Sequence, residues 1–327
     1  MPLLKRLTAM AAKIETTIGA AETLVAADGA FNAYDLEIQF ETDVEEREAQ
    51  GNFGRLAGVS GARAASIKFK VDLAMVGGTA LPAWAATLFP ACGCEISSLV
   101  IYPKSEGLSS TATVHKSITI GFWEGATSSA QYKVASGCMG NFKIVCTSGA
   151  LTYVEFEFKG VFQEVTDAAI IDPTYPLDLP MRFASDGTAT TWNSYELCMA
   201  SLEFDLGNEV ILRECPDSIE GYKSAIVVDR YPKITMDPEA DLVATQDMYG
   251  NLMDNVEAAF SSVVGSGFLT GAQTTLPTVT LAAPKAQVFS LQEGDREKLL
   301  INEVEMMCNK NGNTEDREFS LTFTAAT

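Results

Sequence analysis

The sequence predicts a mainly β protein in which one β-rich domain occurs twice, and three observations carry that expectation. Blocks recur in the same order. Asn32-Ala33-Tyr34-Asp35-Leu36 is answered by Asn193-Ser194-Tyr195-Glu196-Leu197 at an offset of 161, and Ile67-Lys68-Phe69-Lys70-Val71-Asp72 by Pro232-Lys233-Ile234-Thr235-Met236-Asp237 at 165. Later in each half come a Glu-Gly pair (Glu124-Gly125 and Glu293-Gly294, offset 169) and a cysteine (Cys146 and Cys308, offset 162). An alternating strand follows, Glu155-Phe156-Glu157-Phe158 against Glu318-Phe319-Ser320-Leu321-Thr322-Phe323. A steady period of this kind marks an internal duplication. The second observation is period-2 alternation of apolar and polar residues in both halves, the mark of half-buried strands. The third is size: 327 residues with 25 Gly and 12 Pro suit two turn-rich domains of about 150 residues each. The expected layout is an N-terminal arm over 1–30, a first domain over 31–165, a Pro-rich connector over 166–192 and a second domain over 193–327.

The arm is rich in Ala and Thr and poor in bulky apolar residues, so it is expected to dock on something else, such as a neighbouring copy. The first strand is Leu36–Glu41, where Leu36, Ile38 and Phe40 alternate with Glu37, Gln39 and Glu41 and so take opposite faces. Asp43–Ala65 reads as a long polar loop, and long loops in compact domains are usually functional or disordered. Ser66–Leu73 is a second alternating strand. Pro82 opens a short helix whose Trp84, Leu88 and Phe89 cover one side of the sheet. Strands are expected at Ser98–Tyr102, Ser117–Trp123, Ser129–Ala135, Asn141–Thr147 and Thr152–Phe162 between Gly and Ser turns. In the connector, Asp172-Pro173, Tyr175-Pro176 and Leu179-Pro180 stiffen the chain. In the second half Leu202, Phe204 and Leu206 alternate with Glu203 and Asp205, and a polar loop is expected over Asn208–Arg230. A strand follows near Ile234 and Met236, then a helix from Gln246 to Val264 with Met248, Leu252, Val256 and Phe260 at helical spacing.

Charge and composition exclude several functions. The formal charge is −20, with 13 Lys+Arg against 17 Asp+Glu in residues 1–165 and 10 against 26 in 166–327. No cluster of basic residues is present to displace counterions, so an ordinary DNA-binding surface is not expected. Lys5 and Arg6 precede an apolar run of only Leu7–Ala12, too short for a signal peptide core, and no stretch reaches the length of a membrane span. The seven cysteines are read as buried thiols of a reducing compartment, and the lone His115 with no Cys-x-x-Cys pair argues against a metal site. His115 is also the only base available to a Ser or Cys nucleophile and is read as a packing residue. No phosphate-cradling glycine motif occurs. Neither catalysis nor a cofactor is expected.

The run Lys13-Ile14-Glu15-Thr16-Thr17-Ile18-Gly19, then Asn32-Ala33 and a first strand, then Arg47, Gly54, Gly58 and Gly61-Ala62-Arg63, a strand Ile67–Leu73, and Pro82-Ala83-Trp84 with Leu88-Phe89-Pro90-Ala91-Cys92-Gly93 resembles the tail tube proteins of long-tailed bacteriophages. The likeness covers roughly residues 13–165. It implies β-sandwich domains, each with a flanking helix and a long loop, six of which close a ring. Rings stack into the hollow tail tube through which the genome leaves, and two domains per chain imply a trimer. Implied partners are further copies of the chain, the tape measure, tail terminator and tail-tip proteins, and genomic DNA passing without sequence-specific binding; no membrane is implied. The implied location is the tail tube of the virion, with the host cytoplasm during assembly.

The resemblance and the alternation together nominate Glu37, Glu41, Glu155, Glu157, Glu203, Asp205, Glu303 and Glu305 as lining an acidic bore. Arg47, Arg55 and Arg63 are nominated as contacts to the next ring. Two other readings stay open at this level: a decoration or adhesin module that forms no tube, and a hydrolase with paired carboxylates.

Overall fold

The computed structural model describes residues 8–48, 51, 53–75, 80–105, 115–126, 129–176, 180–184, 190–265, 277–312 and 316–324. Lys5, Arg6, Gln50 and Leu179 lie outside them. The first half holds β1 (Ala9–Ile14), β2 (Ala33–Glu48), β3 (Arg55–Asp72), α1 (Ala83–Ala91), β4 (Cys94–Ser97), β5 (Val100–Pro103), β6 (Ile118–Ala126), β7 (Ser129–Thr147) and β8 (Tyr153–Ala168). The second half holds β9 (Thr190–Trp192), β10 (Tyr195–Leu197), β11 (Met199–Asp205), β12 (Asn208–Glu214), β13 (Tyr222–Arg230), β14 (Lys233–Pro238), α2 (Met248–Met253), β15 (Glu257–Val264), β16 (Thr278–Arg296), β17 (Leu299–Cys308) and β18 (Ser320–Thr324). The protein is mainly β, as alternation predicts.

One antiparallel sheet runs through both halves in the order β2-β3-β8-β7-β11-β14-β17-β16-β15-β9-β10. Each half contributes a quartet with the same internal order, first strand, second, fourth, third. The seam between the quartets is β7 against β11, with Ile144 opposite Phe204 and Cys146 opposite Leu202. On the same side of β7, its earlier residues pair with β6. A register shift between Ser136 and Met139, with Gly137 at φ 60°, marks the change of partner.

The core lies on one face of this sheet and is continuous across the seam. Phe142 of β7 sits 5.9 Å from Phe204 of β11, and Phe204 4.6 Å from Phe319. Trp84, Leu88 and Phe89 of α1 pack into it, Phe89 edge-on to Phe142 at 4.8 Å. The helix at Pro82 is therefore where the sequence put it.

The N-terminal residues follow a different course from the expected loose arm. Ala9–Ala12 are buried in β1, which pairs with β6 of the same chain. Small side chains suit a strand squeezed between neighbours. The carboxylate of Glu15 anchors its end, accepting from Ser117 Oγ (2.5 Å), Thr119 Oγ1 (2.9 Å), Gly137 N (2.7 Å) and Gly19 N (2.7 Å).

Four further expectations are corrected. Asp43–Ala65 is not a loop: β2 and β3 continue through it as a long hairpin with Glu48 opposite Arg55. Both its faces are exposed, so no apolar period betrays the strands. Asn208–Arg230 is likewise the β12–β13 hairpin, folded so that Val210 and Ala225 pack on Met139 of β7. The helix expected over Gln246–Val264 ends at Met253, because Asn255 takes a left-handed φ of 54° and the alternating Phe260, Ser262 and Val264 enter β15 with buried side chains. Ser129–Ala135 and Asn141–Thr147 belong to one strand, β7.

The recurring blocks are only partly equivalent in space. Ile67–Asp72 on β3 and Lys233–Asp237 on β14 hold the same rank in their quartets. Tyr34 lies on β2 but Tyr195 on β10, Cys146 on β7 but Cys308 on β17, and Phe156 on β8 but Phe323 on β18. Gly125 ends β6 whereas Gly294 lies within β16.

Candidate functional site

The sheet's other face is where the nominated acids gather. In β2, β8, β11 and β17 the residues that alternate with core side chains are Glu37 and Glu41, Glu155 and Glu157, Glu203 and Asp205, and Glu303 and Glu305. The registers carry this face from strand to strand: Glu37 stands opposite Lys68, Lys68 opposite Glu157, Lys143 opposite both Glu155 and Asp205, and Thr235 opposite both Glu203 and Glu305. All eight nominated acids are thus on one face of one sheet. The first-half part of this face borders a hollow of about 1330 Å³ lined by Glu37, Gln39, Lys68, Lys70, Lys143 and Glu157 among others.

That face is mixed in sign, where the sequence reading stressed acids. Lys68, Lys70, Lys143, Lys159 and Lys233 project from it between the carboxylates. Cross-strand ion pairs join Lys68 to Glu157 (3.1 Å), Lys70 to Glu155 (3.0 Å), Lys143 to Glu203 (3.0 Å) and Asp205 (3.1 Å), and Lys233 to Glu305 (3.7 Å). The eight nominated acids against these five lysines make a net negative set. Such exposed pairs add little stability each; their effect is to order long side chains along the face. The missed signal was in plain view: Lys68 and Lys70 alternate with Ile67, Phe69 and Val71. Their partners lie far away in sequence, which a strand-by-strand reading does not connect.

Asp205 is the most embedded of the eight. Burial pushes its carboxyl up, but Asn141 Nδ2 (2.8 Å), Gly207 N (2.9 Å) and Lys143 outweigh burial and hold it below the ordinary carboxylate value. Lys143 answers in kind: burial favours its neutral form, yet hydrogen bonds to Glu203 and Asp205 raise it. These groups cross the β7–β11 seam and tie the quartets on the wet face, as Phe142 and Phe204 do in the core. At the sheet's edge the Tyr34 hydroxyl donates to Asp72 at 2.7 Å, and this bond, with burial, pushes the phenol up to about 12.

The three arginines part company. Arg55 pairs with Glu46 (2.7 Å) across the exposed hairpin, and Arg47 stands opposite Leu56 in that hairpin. Arg63 is held within its own chain, its guanidinium donating to Gln163 O (3.2 Å) and its backbone N–H to Glu220 O (3.0 Å). Elsewhere, His115 is buried with Nε2 2.6 Å from Lys104 O. Five of the seven cysteines are buried, and burial pushes their thiols up. Among the described residues no group of His, Cys, Asp and Glu is placed to hold a metal ion, and no helix is long and apolar enough to cross a membrane.

Among the described residues the sheet has one oily face, one charged face and unpaired edges, features that suit a building unit. The family model for phage tail tube proteins matches residues 5–323. The chain belongs to the phage tail tube proteins. No curated protein matches its sequence. A tail tube protein is a structural component of the virion tail that assembles with its own kind into a tube. The match spans both quartets of this tail tube protein, whereas the sequence resemblance stopped near residue 165.

Proposed function

We propose that three copies of this chain close into a ring of six quartets, that the charged face lines the bore, and that stacked rings form the channel for genome ejection. In this reading residues 31–165 and 193–327 are the two ring-forming units and 166–192 joins them. The seam supports it. Inside one chain, the third strand of the first quartet (β7) pairs with the first strand of the second (β11). Among the described residues the same two edges are left unpaired: β2 has only β3 beside it, and β16, which pairs with β15 as far as Gln287, has only β17 beyond that point. Unpaired edges invite strand addition, and ring closure removes them.

The internal seam also dictates the register. Phe204 opposes Ile234, as Phe69 faces the irregular step of β2 between Tyr34 and Glu37 that holds Leu36; Ile144 reaches Val154 as Leu291 reaches Val304. Pairing Phe204 with Ile144 therefore translates into Leu36 of one copy beside Leu291 of the next. Net negative charge on the bore face repels phosphate, and the four lysines paired with carboxylates offer DNA little to grip.

The test is a Leu36→Cys, Leu291→Cys chain oxidised after assembly. Covalent ladders ending at three chains are expected, with neither single variant giving them. A ladder ending at six would replace the trimer by a hexamer. No ladder despite visible tubes would reject the seam.

A further inference from the structure

The two quartets differ at one place that bears on the charged face. In the first, the link between its first and second strands is the continuous β2–β3 hairpin, still paired at Glu48 and Arg55. In the second, the corresponding link is β12–β13, which turns over onto the charged face of the first quartet. Met139 and Lys159 locate it. They oppose each other on β7 and β8, and each follows a core residue, Cys138 and Phe158, so both belong to the charged face. Val210 and Ala225 pack on Met139, and Lys159 Nζ donates to Val210 O at 3.1 Å. Farther along, Glu220 O in the hairpin's turn accepts from Arg63 N of β3 at 3.0 Å. The hairpin thus crosses β7, β8 and β3 in succession.

Small residues let it lie close to the sheet. A Cβ on Gly137 of β7 would stand 2.8 Å from Ser224 Cα, and one on Gly221 3.0 Å from Ala62 Cβ. At its base the largely buried Arg230 pairs with Asp316 (3.1 Å) and Glu318 (2.8 Å). Alternation turns Val210 with Val227, and Leu212 with Ala225, toward the sheet. The other face is apolar and open: Ile211 stands directly opposite Ile226, and both are exposed, as is Val228.

We infer that β12–β13 is a ledge on the bore wall, one per chain and three per ring, and that Ile211 and Ile226 are what passing DNA meets at the narrowest level. This rests on the bore reading above and adds to it a constriction whose symmetry is threefold, because β2–β3 makes no such turn. Six quartets supply about 24 strands, which at about 4.8 Å apiece close a wall about 37 Å across, wider if the strands tilt. A layer packed on a sheet stands up to about 10 Å above it, so the ledges take a large part of the clear width. Isoleucine side chains offer phosphate neither a charge nor a hydrogen-bond donor. The narrowest level is therefore not an adhesive one.

Two measurements test the ledge. Tubes of the full chain carrying Leu36→Cys, Leu291→Cys are imaged by electron cryomicroscopy without imposed sixfold symmetry. Three inward densities per ring are expected, standing on a wall of six similar sectors; a bore of six equal sectors with nothing standing on it would overturn the ledge alone. Virions carrying Ile211→Lys, Ile226→Lys place cations at the narrowest level through two exposed positions. Their tubes and three-chain ladder should persist, while DNA release slows about tenfold at low salt and recovers as salt is raised. Release at the parental rate would show that DNA does not meet this hairpin and would likewise overturn the ledge. A map with the charged face outside the tube, or no ladder in the parent, would remove the ring reading and the ledge with it.

Discussion

Asp205 shows how a residue on the wet face does structural work. Its carboxyl sits below the ordinary value because Asn141, Gly207 and Lys143 donate to it despite burial. A group whose folded pKa is depressed stabilises the fold fully above its unfolded value, near 3.9, and loses that contribution as pH falls through the folded value. An Asp205→Asn chain should therefore be less stable than the parent at pH 7, by about 1–3 kcal/mol for a hydrogen bond to a charged group. The gap should shrink as pH falls through the folded value of that carboxyl, since both chains are then neutral at this position. Urea midpoints followed downward from pH 7 check this; a gap that does not change with pH would assign the effect to packing. Asp316 has the same sign, held down by Ser105 and Arg230 against the upward push of burial. The placement of Asp205 on the polar face was legible from its alternation with Phe204 and Leu206. Its partners were not, because Lys143 and Asn141 are brought to it only by the β7–β11 register.

Among the elements, the two hairpins are built alike and disposed differently, and one glycine accounts for much of it. β11 leads into β12 through Gly207, at φ 65°, where an added Cβ would lie 2.3 Å from Tyr231 O. A non-glycine residue meets about 1–2 kcal/mol from the left-handed backbone alone, before that clash is relieved. The turn lets β12–β13 fold back so that Val210 and Ala225 reach Met139. β2 continues as one strand from Ala33 to Glu48, with shifts of register but no intervening turn. Gly207→Ala should release β12–β13 from β7, read as faster proteolysis within residues 215–221 and a lower unfolding midpoint; unchanged cleavage would mean that packing at Met139, not the turn, places the hairpin. Neither hairpin was legible. Alternation reports burial on one face, and strands exposed on both faces, such as Asp43–Glu48, carry no such pattern. The α2 error has the converse cause: Met248, Leu252, Val256 and Phe260 fit a helix, but Val256, Phe260 and Val264 equally fit period 2, and only Asn255 separates the two.

For the molecule as a whole, the same succession of strands in both halves and one core running through their seam make the chain one continuous sheet. The repeat was read in the sequence from the shared order of several blocks, of which only Ile67–Asp72 and Lys233–Asp237 fall on strands of the same rank. If this face lines the bore as proposed, the consequence follows from which acids are already engaged. Among the described residues Glu155, Glu157, Glu203, Asp205 and Glu305 pair with lysines across strands, while Glu37, Glu41 and Glu303 form no ion pair. Replacing these three with Lys turns eight acids against five lysines into five against eight, without breaking a cross-strand pair. Tubes should still assemble, because the ring contact proposed for β2 runs through its backbone while Glu37 and Glu41 project from the sheet's face, but the face would attract phosphate instead of repelling it. Virions carrying Glu37→Lys, Glu41→Lys and Glu303→Lys should have tails of normal length and release DNA slowly or incompletely, with release recovering as salt is raised and the attraction is screened. The Gln triple variant, which removes charge without adding any, should fall between. Normal release from the Lys virions at low salt would mean that this face does not meet the genome.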